Sequence, residues 1–195
     1  LLGRYALSQR PGRWAMSIVG IGPVIAAGLL AHIDIAKAPT AGDVWSFAGL
    51  NPDASWGKGE VRPWNAKLKL VCWKAGESFV KVQNNERDIY GKIYAARKAL
   101  EIERNEAGLF AEQAAQKLAT TNIGKGTDAY AFYSKGQLPP ARIHLRATRY
   151  ATKLFLAHLQ HVLWEDRYGV PPVKPYAFTH LGHAHYISPP GWPCE

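Results

Sequence analysis

The sequence predicts an all-α protein, and three observations carry that expectation. Apolar residues recur at helical spacing through most of the chain, with almost no two-residue alternation. Pro, Thr and Asn stand just ahead of several of these runs, where they open helices. Gly and Pro clusters separate the runs at intervals suited to helix connections.

Taken in order, residues 1–17 read as a helical approach broken at Pro11-Gly12, made basic by Arg4, Arg10 and Arg13. A turn carrying Gly20 and Gly22 runs into a helix opened by Pro23, with Val24, Ala27, Gly28 and Ala31 on its packing side. Small residues there imply a close neighbouring helix. Thr40 caps the next helix, whose apolar stripe is Val44, Phe47 and Ala48. Residues 51–64 form a loop punctuated by Pro52, Gly57, Gly59 and Pro63. Asn65 caps a helix to about residue 81 that buries Leu68, Val71, Cys72, Ala75 and Phe79. Lys67, Lys74 and Lys81 recur on another face, as on a solvated surface, and Cys72 reads as a buried thiol without chemistry.

A long helix over 86–105 places Ile89, Ile93, Ala96 and Leu100 toward the core and mixed charges outward. A short Ala/Gln-rich helix ends near residue 120, a Gly/Lys turn covers 122–126, and Tyr130, Phe132 and Tyr133 lie in a further helical segment. Pro139-Pro140 opens the last and longest helix, to about residue 168, with Leu145, Leu154 and Phe155 on its apolar side. The tail from 169 is Pro-rich and irregular, which divides the chain into segments 1–64, 65–168 and 169–195.

The chain has 195 residues and a formal net charge of +9. Such a balance favours a polyanionic partner, nucleic acid before an anionic membrane surface. Two cysteines make no disulfide framework, so a reducing compartment is expected. The most apolar stretch, 18–33, is short and broken by Pro23 and glycines, so no membrane span is expected. No signal peptide is expected either. The sequence starts at Leu1 rather than Met, and a segment upstream in the natural protein is expected.

Four places carry candidate chemistry. The Gly20-Ile21-Gly22 turn can present backbone N–H groups and a helix dipole to phosphate; its other reading is a tight turn between core helices. The loop interleaves Trp56 and Trp64 with Lys58 and Arg62, which suits base stacking and backbone contact, or anchors an ordinary exposed loop. Arg142, Arg146, Arg149 and Lys153 share one face of the last helix with no acid between them, a pattern that an anionic backbone would relieve. Its alternative is pairing with glutamates of another helix, Glu101 or Glu103. His180, His183 and His185 fall within six residues, but no Cys or acidic partner stands at metal-ligand spacing. No metal site is assigned and no cofactor is expected.

The run from Gly20-Ile21-Gly22-Pro23 to Leu29-Leu30-Ala31, followed after a spacer by Phe47-Ala48-Gly49-Leu50-Asn51-Pro52, resembles the C-terminal domain of the IS-one-ten family of transposases. These are bridge-RNA-guided recombinases of mobile elements with a DEDD, RuvC-like N-terminal domain. The resemblance covers residues 17–79. It implies a catalytic serine beside a glycine shortly after the second motif; here Ser55 is present, with Trp56 between it and Gly57. The DEDD domain is not in this chain. The helical pattern also looks like the Nop domain of box C/D ribonucleoproteins, and like the Nop-like domains of the tandem-interspaced-guide-RNA associated (Tas) proteins.

The resulting expectation is a helix-hairpin-helix, nucleic-acid-binding protein that holds a guide RNA and through it a DNA target. The proposed contacts are Gly20, Gly22, Trp56, Lys58, Arg62, Trp64, Lys67, Arg142, Arg146, Arg149 and Lys153. The competing classes are a recombinase using Ser55 as nucleophile with a DEDD domain, and a helical adaptor that dimerises through the helix at 86–105. A homodimer in the cytoplasm of a prokaryote or phage-infected cell is expected.

Overall fold

The computed structural model describes residues 1–52, 54–173 and 187–194. Among them the fold is all-α: α1 (Leu2–Leu7), α2 (Arg10–Ser17), α3 (Pro23–His32), α4 (Ala41–Phe47), α5 (Ala66–Val82), α6 (Tyr90–Glu106), α7 (Ala111–Thr120), α8 (Asp128–Ser134) and α9 (Pro140–Tyr168). The helix starts follow their capping chemistry. Asp43 N–H donates to Thr40 Oγ1 while Thr40 N–H donates to Asp43 Oδ2, a reciprocal box at the head of α4. Asn65 Oδ1 accepts from the N–H groups of Lys67 and Leu68 at the head of α5. Pro23 and Pro140 sit in first turns. Gly169, at φ +73°, closes α9 in the left-handed region that favours glycine.

α9 is the spine. It packs against α2, α4, α5 and α6, and from Ala151 to Val162 none of its residues is exposed. Trp14, Phe79, Tyr90 and Phe155 are each fully buried and meet at one point: Trp14 stacks on Phe155 at 5.9 Å, and Phe79, Tyr90 and Phe155 lie 5.0–5.3 Å apart. Such pairs add about 0.5–1.5 kcal/mol each beyond area burial. The core also takes in Leu29 and Val44, so segments 1–64 and 65–168 share it. A smaller cluster of Phe110, Ala114, Tyr133, Leu138 and Ile143 joins α7 and α8 to the head of α9. The described end of the tail is non-helical and folds back. Trp14 Nε1 donates to Pro190 O at 2.8 Å and Trp192 Nε1 to Glu165 Oε2 at 2.9 Å.

Several expectations are corrected. The first break is Ser8-Gln9, because Pro11 fits the opening turn of α2 and starts that helix rather than ending α1. Gly12 lies inside α2 where a β-carbon would stand 1.9 Å from Ala6 O, so it serves a close helix approach. On α3, Ala26, Ala27 and Leu29 are buried, whereas Val24 and Ala31 face out. Gly28 does meet a neighbouring helix closely, against Val71 of α5. Phe47 and Leu145 are exposed.

The largest correction concerns α6. Ile89, Ala96 and Leu100 face solvent, and the buried face is Tyr90, Gly91, Tyr94, Glu101 and Asn105. Each polar group on that face has a partner. Tyr90 OH bonds His158 Nδ1 at 2.7 Å, Tyr94 OH bonds His144 Nδ1 at 2.9 Å, and Asn105 Nδ2 donates to Leu138 O at 3.0 Å. Burial holds His158 down at about 4, so it is neutral at physiological pH; Nε2–H donates to Ile187 O and Tyr90 OH donates to Nδ1.

Candidate nucleic-acid interface

The turn between α2 and α3 has two unlike glycines. Gly20, at φ +96°, lies where a β-carbon would press on Ser78 Oγ and Val82, both at 3.2 Å, and its carbonyl accepts from Ser78 Oγ at 2.6 Å. Its need is conformational. Gly22 is extended, caps α3 without a side chain, and has nothing within 4 Å of where a β-carbon would stand. With Met16 to Ile21 and Arg87 it lines an open concavity of about 680 Å³. Gly20→Val should therefore cost about 1–3 kcal/mol of stability. Gly22→Val should melt within a few degrees of the parent and yet weaken nucleic-acid binding. Thermal melts beside binding isotherms of the two variants check this, and unchanged affinity in Gly22→Val returns the turn to a structural role.

The loop before α5 is organised by its own residues. Arg62 lies over the Trp56 ring at 4.6 Å, Trp56 meets Trp64 edge-on at 6.3 Å, and Lys69 Nζ lies over Trp64 at 4.5 Å. Glu60 closes the tip, its O accepting from Trp56 Nε1 and its carboxylate from Gly57 N–H. Lys58 and Lys67 are exposed. Ser55 is exposed too. Cys72 is buried as expected; burial pushes its thiol up to about 12, where it stays protonated.

The four cations of α9 are not equivalent. Arg142 and Arg149 are exposed. Arg146 crosses to α6, where its Nε donates to Glu101 Oε2 at 2.7 Å; it also lies over the Phe110 ring at 4.5 Å. That is the alternative the sequence left open for the stripe. Lys153 Nζ lies over the Trp45 ring at 4.1 Å. Arg142, Arg146 and Arg149 nonetheless line one groove. A concavity of about 300 Å³ sets them beside Lys117 and Gln113 of α7. A second, of about 170 Å³, shares Arg149 and Leu145 with it and continues along Lys69, Trp73 and Glu77 of α5. The groove thus carries cations from three helices with an exposed tryptophan and leucine between them.

Lys69, Trp73, Glu77 and Lys117 were not singled out from sequence. Lys69, Trp73 and Glu77 are spaced by four, so they share a helix face, and a tryptophan off the buried stripe of Leu68, Cys72, Ala75 and Phe79 was the available signal. His180, His183 and His185 lie outside the described residues. Among the described residues no cluster of His, Cys, Asp or Glu could hold a metal ion, and no helix is long and apolar enough to cross a membrane.

An all-helical domain with a basic, aromatic-bearing groove is the class these features define. Residues 12–57 match the family model described as Transposase IS116/IS110/IS902 family. The match takes in Gly20, Gly22, Ser55 and Trp56, and bears out over that segment the resemblance carried by the glycine turn and the Gly-Leu-Asn-Pro motif. The groove of α9 lies beyond it. Comparison with curated proteins and with solved structures gave no match.

Proposed function

We propose that this chain is a nucleic-acid-binding domain of the transposase type that holds a structured guide RNA and, through it, a DNA target. The observation that supports this most is the groove where Arg142 and Arg149 meet Lys117 and Lys69 beside exposed Trp73. Cations contact the phosphate backbone without regard to sequence, and aromatic faces take bases of any kind. The Gly22 turn and the Trp56–Arg62–Trp64 loop provide further contacts. A Nop-like mode of gripping a folded RNA is part of this proposal.

Purified chain should retain nucleic acid that RNase removes, and should rebind a structured RNA with steep salt dependence. Recovery of the chain free of nucleic acid, with no binding to RNA or DNA at low salt, would overturn the reading. A second reading has its own support: Ser55 is exposed and lies inside the matched segment. It would serve as the nucleophile of DNA strand exchange, acting with a DEDD domain in trans or upstream. A homodimer belongs to the proposal as well, through the outward stripe of Ile89, Ala96 and Leu100 on α6.

A further inference from the structure

We infer that the smaller concavity between α5 and α9 receives one unstacked nucleobase bearing an exocyclic amino group. This rests on the nucleic-acid reading above and adds to it a site for a single base. The size fits one ring system. A cavity of about 150 Å³ holds a benzene ring, and this one measures about 170 Å³ with one side open to solvent. A duplex or a peptide helix is far too large for it. The bottom is closed because α5 and α9 touch there: a β-carbon on Gly76 would stand 2.6 Å from Thr152 Oγ1.

The lining is that of a base site. Trp73 is 55% exposed and Leu145 is 43% exposed, giving an aromatic face and an aliphatic one. A base stacked between them would cover the exposed parts of both. Lys69 and Arg149 stand on the rim, so a backbone entering from the larger groove finds cations for its phosphates. Glu77 supplies the polar edge. Its carboxylate is about one-third exposed, and His144 Nε2 stands 3.9 Å from Oε1, beyond hydrogen-bonding distance. A carboxylate only accepts, so it suits the amino group of cytosine, adenine or guanine and opposes the carbonyl at the same position of uracil. An acid in a groove that otherwise gathers cations weakens phosphate binding; here it discriminates among bases.

Two single-stranded RNA probes of equal length and charge test this: ten-residue oligo(C) and oligo(U), measured by fluorescence anisotropy. The parent chain should prefer oligo(C) about fivefold, the lower end of what a base-edge contact gives. Glu77→Gln should bring that ratio within twofold of unity. Trp73→Ala should weaken both probes about tenfold, within the range for one stacked base, and Trp73→Phe should restore most of it. Thermal melts establish that each variant is folded; both positions are off the core. If Glu77→Gln and Trp73→Ala bind both probes as the parent does, with the salt dependence intact, the base site is overturned while the nucleic-acid reading stands. If the parent binds neither probe nor any structured RNA or DNA, both fall together.

Discussion

Glu101→Gln should destabilise the protein by about 2–3 kcal/mol, lowering the melting temperature by about 5–10 °C. Glu101 is fully buried and joins α6 to α9. Arg97 Nε donates to its Oε1 and Arg146 Nε to its Oε2, each at 2.7 Å, and Arg104 approaches at 3.9 Å. The substitution keeps the shape and removes the charge that two guanidiniums share. Breaking a buried pair by removing one partner usually costs about 3–5 kcal/mol. Here Arg97 is 25% exposed and Arg146 is 35% exposed, so water takes part of the load and the lower figure applies. The pH dependence has a definite sign. Burial alone would raise the Glu101 carboxyl, but hydrogen bonds and charge from Arg146 and Arg97 outweigh it and hold the group below the usual carboxylate range. A depressed folded value contributes stability that is fully present above the unfolded value of about 4.3 and is lost as pH falls through the folded one. The parent should therefore lose this increment below about pH 4, and Glu101→Gln should not. Melting temperatures from pH 7 to pH 3 check both statements; equal melting of the two chains at pH 7 would remove Glu101 as a structural tie.

That glutamate also marks where the sequence stopped being readable. The helices, their caps and the start of α9 at Pro140 follow from local chemistry, and those were legible. The face of α6 was not. Ile89 stands at its N-cap, outside the helix, so counting apolar residues from it rotates the expected stripe away from the true one. The true stripe, Tyr90, Tyr94, Glu101 and Asn105, is polar and is buried only because His158, His144, Arg146 and the Leu138 backbone satisfy it. Those partners lie 33 to 68 residues away in the chain. No local pattern announces such pairing. The same holds for the candidate site. The spacing of the α9 cations aligned Arg142, Arg146 and Arg149, which line one concavity, whereas Lys153 lies over Trp45 of α4, and which of them is tied to Glu101 depends on where α6 lies. The groove itself needs Lys117 from α7 and Lys69 and Trp73 from α5, and their convergence is tertiary.

The division within the stripe sets the second large effect. A uniform face of four phosphate contacts would give a log–log salt slope of about −3 to −4, with each substitution removing about one unit. The structure assigns unequal expectations. Arg142→Ala with Arg149→Ala should lower the magnitude of the slope by about two units and weaken binding to all sequences alike. Both side chains are exposed, so the melting temperature should stay within about 2 °C of the parent. Arg146→Ala should do the reverse. It strips a hydrogen bond and a charge from buried Glu101 and uncovers Phe110, so it should lower the melting temperature while moving the slope by less than about half a unit. Salt titrations and melts of the same three chains separate the two roles. If Arg146→Ala changes the slope by a full unit without loss of stability, its tie to Glu101 yields to phosphate in the complex and the stripe acts as one surface after all. If the double variant leaves the slope unchanged, the groove of α9 is not the phosphate-binding face. The exposed lysines of α5, Lys67, Lys74 and Lys81, would then be the next surface to neutralise.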